Sequence, residues 1–217
     1  QAAVIRSPED AARYKIGMIH QHFKLVGVHT AADNILLGSK KESWLLRKNR
    51  GARIRELCDA YGLEIDPDKR VYDMSVSEKQ TVEILKVLYR GADILILDEP
   101  TAGLDPRGRD RILDMVKQLH AQGGVTVIMV SHSMDDISRL ATRLIVMNKG
   151  RLVADGTPRE LFRQVGMMES VGLGVPQATK LCALLRKRGI DIPDDLYTID
   201  QVREHLLRLW KEAPHAQ

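Results

Sequence analysis

No apolar run in this chain is long enough to cross a bilayer, and its N-terminus lacks the basic-then-apolar order of a secretory leader. Contact with a membrane is therefore expected only through a partner. Cysteine is nearly absent: Cys58 and Cys182 lie far apart and neither sits in a C-x-x-C spacing, which argues against a disulfide framework or a cysteine metal site and for a reducing, cytoplasmic setting. Neither sign of charge dominates. The 33 basic and 29 acidic residues are interspersed, and a net charge of +4 spread in that way reads as a solvated surface with no nucleic acid partner. An initiator Met is also missing, since the chain opens Gln1-Ala2-Ala3 and its first clear strand leads straight into a functional-looking segment. The expectation is a cut N-terminus.

What is present suffices for a packed core. The chain has 217 residues, 44% of them hydrophobic and 29% charged, enough for one globular unit or one plus a small appendage. Residues 15–19 read as a short strand that delivers Gln21 to its end. From Thr30 to about Arg90 the rhythm is helical: Ile54, Leu57, Cys58 and Tyr61 share one face, with Gly62 as the stop. A second helix is expected after Ser77, where Ser77-x-x-Gln80 resembles a capping box and Thr81, Ile84, Leu85 and Leu88 form the inner stripe. Beyond Gly91 the order becomes strand (94–97), helix (106–122, closed by Gly123-Gly124) and strand (126–130), the alternation of a parallel sheet covered by helices. Two strands around Asn148-Lys149-Gly150 and a short helix at 158–163 follow. After Gly166 a loop-rich stretch (171–176) precedes two amphipathic helices, so the expected domains are 1–166, with a helical subdomain at about 22–90, and a helical appendage at 167–217.

The residues with the strongest chemical signal are Asp98 and Glu99. Ile94-Leu95-Ile96-Leu97 places them at the C-terminal end of a buried strand, where open α/β sheets put their ligands. A strand that merely runs out into solvent is the alternative. Two adjacent acids directly after four aliphatic residues are costly without a use, and Pro100 turns the chain off the strand at once. Asp105, just before Pro106, is a natural N-cap with Pro in the first helical turn.

These residues fall into a pattern. Leu97-Asp98-Glu99-Pro100-Thr101 and Ala102-Gly103-Leu104-Asp105 resemble the Walker B segment and D-loop of ABC ATPases, and Val130-Ser131-His132 follows where that family carries its switch histidine. The resemblance implies a P-loop NTPase-like α/β fold, ATP and Mg²⁺ as cofactors, Asp98 in the metal shell, Glu99 as general base toward the attacking water and His132 against the γ-phosphate. Gln21 matches the Q-loop glutamine, implied as both metal contact and catalytic group. Asp105 is split between capping and D-loop communication across an ATPase dimer, and both roles can hold together.

Met74-Ser75-Val76-Ser77-Glu78 stands at the signature position, where most members read L-S-G-G-Q and a helix N-terminus faces the ATP of the other subunit. Here Ser75 is kept, while Val76, Ser77 and Glu78 replace both glycines and the Gln. Side chains there would narrow the approach to phosphate, as in a weak or inactive site. Ser-Val-Ser-Glu-x-Gln-x-Val-Glu-Ile nevertheless resembles the variant signature of bacterial simple-sugar and nucleoside importers, a likeness that extends over about the first 95 residues. From Asp105 onward, through Asp155-Gly156-Thr157-Pro158 and into the tail, the chain is more similar to the ATPases of energy-coupling-factor importers. A mosaic is one implication.

An ATPase of this family also needs G-x-x-x-x-G-K-[ST] to cradle phosphate, and this chain contains no Gly-Lys dipeptide. Truncation upstream of Gln21 is expected to account for that, and these 217 residues alone are expected to bind ATP weakly and turn it over negligibly. The leading reading is the ATPase subunit of a bacterial ABC importer, peripheral on the cytoplasmic face of the membrane. It would work as a homo- or heterodimer and engage a transmembrane permease through residues 22–37. The alternatives are a non-transport ABC ATPase of the DNA-repair or translation type, and an inactive regulatory nucleotide-binding module.

Overall fold

The computed structural model describes residues 4–38 and 49–212, which form two compact units, Gln1–Ser131 and His132–Gln217. In the first unit a helix α1 (Pro8–Arg13), capped by Ser7, precedes strand β1 (Ile16–Ile19). Helices α2 (Ala31–Leu36), α3 (Arg50–Tyr61) and α4 (Val76–Tyr89) follow, then β2 (Ile94–Asp98), α5 (Pro106–Ala121) and β3 (Thr126–Val130). The three strands make one parallel sheet in the order β1-β2-β3, with Ile19 opposite Leu97 and Asp98 opposite Val130. The helical reading of residues 39–48 lies outside the described residues.

The core follows the apolar periodicity. Leu95 and Leu97 of β2, Ile84 and Leu85 of α4, and Ile112 and Leu119 of α5 are fully buried, each contributing about 1.5–3 kcal/mol by leaving water. The opposite sheet face is different, for Met18, Ile128 and Val130 remain about half exposed. β1 and α4 approach so closely at Gly17 that an added Cβ would stand 2.0 Å from the Val87 Cγ1.

Helix α3 ends as its sequence demands, Gly62 taking the left-handed conformation at its C-cap. Helix α4 corrects the expected start. Its N-cap lies two residues earlier than Ser77, at Ser75, with Glu78 completing the capping box. Both Ser75-x-x-Glu78 and Ser77-x-x-Gln80 fit the pattern; Ser77 and Gln80 instead face inward and are buried. The segment before α4 is laced to the one before and within the start of α2: Tyr72 N donates to Gly27 O, Val71 N to His29 O, Ala31 N to Lys69 O and Ala32 N to Pro67 O, at 2.9–3.0 Å.

The second unit opens at His132 and contains α6 (Met134–Leu140), the antiparallel hairpin β4 (Leu144–Asn148) and β5 (Arg151–Gly156), and helices α7 (Pro158–Phe162), α8 (Val165–Ser170), α9 (Gln177–Lys187) and α10 (Ile199–Glu212). Helices α6 and α8 were not legible in the sequence pattern, and both are under eight residues long. Positive φ at Lys149 and Gly150 makes the two-residue turn of the hairpin. The compositional change at 167 falls inside this unit. Ala178, Cys182, Ile192 and Val202 form a buried cluster with Leu185, Leu196 and Leu206 against it, and α7 is joined to the following segment by Arg159–Asp195, Arg163–Asp194 and the Phe162–Tyr197 ring pair. Among the described residues no helix is long and apolar enough to cross a membrane.

Candidate functional site

The site residues of the first unit gather at two places. One is the C-terminal edge of the parallel sheet. Asp98 ends β2, and Gln21 stands two residues beyond the end of the neighbouring β1, so both leave the sheet at the same edge. Glu99 comes next, half-buried, with a φ of +47°. A non-glycine residue in that region costs about 1–3 kcal/mol and persists only where its surroundings over-determine it. They do so here. Glu99 N continues the sheet ladder to Val130 O at 2.9 Å, its carbonyl accepts from Ala102 N at 3.1 Å, and its carboxylate accepts from the Ser131 hydroxyl at 3.3 Å. The strain redirects the Glu99 side chain at the point where the strand stops, and Pro100 is buried immediately behind it.

The second place is the meeting of two helix starts. Ser75 Oγ accepts from Glu78 N at 3.3 Å and Glu78 Oε2 accepts from Ser75 N at 2.7 Å, closing the capping box, while Glu78 Oε1 takes the Lys69 ammonium at 2.7 Å. Burial alone would raise the Glu78 carboxyl, but the Lys69 ammonium and the Ser75 donors outweigh it and hold Glu78 below the usual glutamate range. The Ser75 and Ser77 hydroxyls are 3.1 Å apart. Val76 points outward, and Ser77 is covered by Gly108 of α5, where an added Cβ would lie 3.5 Å from the Ser77 Cβ. Asp105 caps that same helix, its Oδ1 accepting from Gly108 N at 2.8 Å. The structure thus brings Ser75, Val76, Ser77, Glu78 and Asp105 together. His132 follows Ser131 directly and is the exposed first residue of the second unit.

Among the described residues no three of His, Cys, Asp and Glu converge as a metal cage. The oxygen donors at the sheet edge are two carboxylates, Asp98 and Glu99, and one amide oxygen, Gln21; with Glu99 engaged by Ser131, Asp98 and Gln21 are the pair left for a metal. That set does not fit a self-sufficient metal site. It fits a hard cation such as Mg²⁺, which is held by one or two protein oxygens together with substrate phosphates. Cys58 and Cys182 are buried and free, and burial pushes both thiols up, away from thiolate chemistry.

Four residues took no role in the sequence reading, two of them at these sites and two, Glu83 and Asn34, elsewhere. Lys69 and Ser131 are ordinary surface types whose partners, Glu78 and Glu99, are apparent only once folded. Glu83 and Asn34 were findable, as polar residues on helix faces otherwise apolar, and both are buried.

The profile of the family described as ABC transporter matches residues 2–102. The chain is 39% identical over 202 residues to the energy-coupling factor transporter ATP-binding protein EcfA2 of Clostridium tetani, covering 91% of this chain and 69% of that protein. The chain belongs to the ATP-binding proteins of ABC transporters. This ATP-binding protein is also 43% identical over 164 residues to the nucleoside import ATP-binding protein NupA of Lactococcus lactis subsp. cremoris, covering 72% of this chain and 32% of that one. Its fold is similar to the solved structure of cbiO1 from Clostridium perfringens, part of the ABC transporter complex cbiONQ, with a TM-score of 0.61, 26% identity and coverage of 83% and 71%. Relatives of both kinds that the sequence resembles are thus found, and the energy-coupling relative matches over 202 residues, well beyond the part after Asp105. The ABC ATPase fold, a parallel sheet with covering helices, is as the sequence implied.

Proposed function

We propose that this ATP-binding protein is the ATP-hydrolysing subunit of an importer. The observation that carries the reading is the strand edge: Asp98 at the end of β2, Glu99 held at φ +47° beside it, and Gln21 leaving the adjacent strand at the same edge. Asp98 and Gln21 would hold Mg²⁺, which when bound neutralises charge on the transferred phosphoryl group. Glu99 accepts the proton of the attacking water, and its strained backbone fixes where that carboxylate points. His132 contacts the γ-phosphate from the strand end that Ser131 closes. Ser75, Val76 and Glu78, with Asp105 at the adjacent helix start, face the ATP of a partner ATPase subunit, while Ser77, buried under Gly108, packs the helix start from behind.

The importer reading draws support from the relatives named for energy coupling and nucleoside import. Docking of the permease to residues 22–37 is supported by the exposure of Val28 and Leu37, with Tyr72 exposed beside them on the segment laced to Gly27. Residues 167–217 serve as the appendage of the ATPase core, and the assembly lies on the cytoplasmic face of the membrane.

The test is reconstitution of the full-length subunit with its membrane partners in vesicles. ATP-dependent uptake that stops when Asp98 is replaced supports the reading. A full-length subunit that hydrolyses ATP yet neither co-purifies with a permease nor supports uptake contradicts it.

A further inference from the structure

Helix α4 carries one acid on its inward side. Glu83 is 6% exposed and is flanked in sequence by the buried Val82 and Ile84. An ion in such surroundings is costly unless every part of it is used. Glu83 Oε1 accepts from Lys24 N at 2.7 Å, Oε2 accepts from the Lys86 ammonium at 2.8 Å, and that ammonium also donates to Lys24 O at 3.2 Å. Two side chains of α4 thus take both backbone groups of one residue, three positions beyond Gln21.

The neighbouring contacts repeat the device. Asn34, 1% exposed, accepts from Val26 N at 2.8 Å and donates to Val26 O at 3.1 Å and Thr30 O at 3.0 Å. Farther on, Arg90 at the C-cap of α4 donates to Leu37 O at 2.9 Å. On the upstream side, Gly17 of β1 is pressed against Val87 of the same helix. Gln21 therefore lies in the span 20–23, between Ile19, fixed in the sheet, and Lys24, fixed on α4. Such a short span with both ends pinned leaves its residues few positions.

We propose that Glu83, together with Lys86, is a positioning residue for Gln21: it ties the segment after Gln21 to the helix whose first turn is Ser75 to Glu78, so that these two parts of the site move as one body. The inference rests on the role proposed above for Gln21. A purely structural buried ion pair would hold two helices together. This one is spent instead on the main chain of Lys24, and releasing it lengthens the span around Gln21 to the next clamp, at Val26. Misplacing a group of this kind by about 1 Å costs up to about a hundred-fold in rate.

The experiment is a double-mutant cycle in the full-length subunit assembled with its partners, reading ATP turnover against Mg²⁺ concentration alongside thermal stability. Gln21→Ala sets the reference. Glu83→Ala is expected to lower turnover roughly ten- to a hundred-fold and to raise the Mg²⁺ needed for half-maximal rate. Glu83→Gln, which keeps an acceptor for Lys24 N, is expected to recover part of the loss. The combined Gln21→Ala/Glu83→Ala protein is expected to match Gln21→Ala within about two-fold. Losses that multiply, or a Glu83→Ala protein that melts earlier with unchanged Mg²⁺ dependence, overturn the positioning role while leaving Gln21 in place. Gln21→Ala without effect overturns the reading of Gln21 itself, and the proposal with it. Where Glu83→Ala fails to fold, Glu83→Gln and Lys86→Met pass through the same cycle, with the same outcomes deciding.

Discussion

The end of β2 and the start of α4 use acidic residues in opposite ways. At the strand end the chain accepts strain, placing Glu99 at φ +47° with its carboxylate held by the Ser131 hydroxyl at the sheet edge. At the helix start Glu78 occupies relaxed backbone and is consumed locally, by the Ser75 cap and the Lys69 ammonium. The first region gives up stability to hold a group in place, and the second gains stability from a residue that departs from the usual family pattern. The difference explains how Gln can be replaced by Glu at this position: the capping box needs an acceptor, and either side chain supplies one.

Substitutions at the two places should separate along those lines. Asp98→Asn in the full-length subunit is expected to cut Mg²⁺-dependent turnover by roughly a hundred-fold or more, because several kcal/mol of charge stabilisation depend on the proposed metal ligand. Steady-state phosphate release checks it, and a loss under ten-fold would break the contrast at its strongest point. Gly17→Ala, which acts on packing alone, should cost about 1–3 kcal/mol in urea denaturation, since its Cβ overlaps Val87 beside an inflexible strand.

Glu78→Ala should cost about 0.5–2 kcal/mol of stability through the lost cap, and the exposed part of the Lys69 pair adds little. The pH dependence has a definite sign. Because the folded state holds the Glu78 carboxyl below its usual range, its contribution is complete above that range and disappears as pH falls through the folded value. The difference between wild type and Glu78→Ala in thermal melts should therefore shrink on acidification. A gap that widens would assign the effect elsewhere. Last, Glu99→Gly should abolish turnover yet raise stability by about 1 kcal/mol, by removing a Cβ from the left-handed region. Equal or lower stability would show that the Ser131 bond outweighs the strain.

Much of this was legible beforehand, and for identifiable reasons. The run of four aliphatic residues before Asp98 fixed a buried strand and its edge, and Asp105-Pro106 and Gly62 marked helix ends through chemistry that acts within a few residues. The start of α4 was misread because two capping boxes overlap, and only tertiary packing of Gly108 over Ser77 decides between them. Short helices such as α6 and α8 carry too few turns for an apolar period to show. The Glu83–Lys24 and Glu99–Ser131 contacts join residues 59 and 32 positions apart, so no local pattern contains them.

Glu99, held at a strained backbone, is the residue proposed to activate water. The measurement that reaches it most directly is single-turnover ATP hydrolysis by the full-length subunit bearing Glu99→Gln, with bound nucleotide quantified in parallel. The expected result is hydrolysis slowed by about 10²–10⁴-fold, with ATP retained and an ATP-bound dimer of the subunit persisting. Hydrolysis within a few-fold of wild type, or loss of ATP binding in place of loss of chemistry, would contradict it.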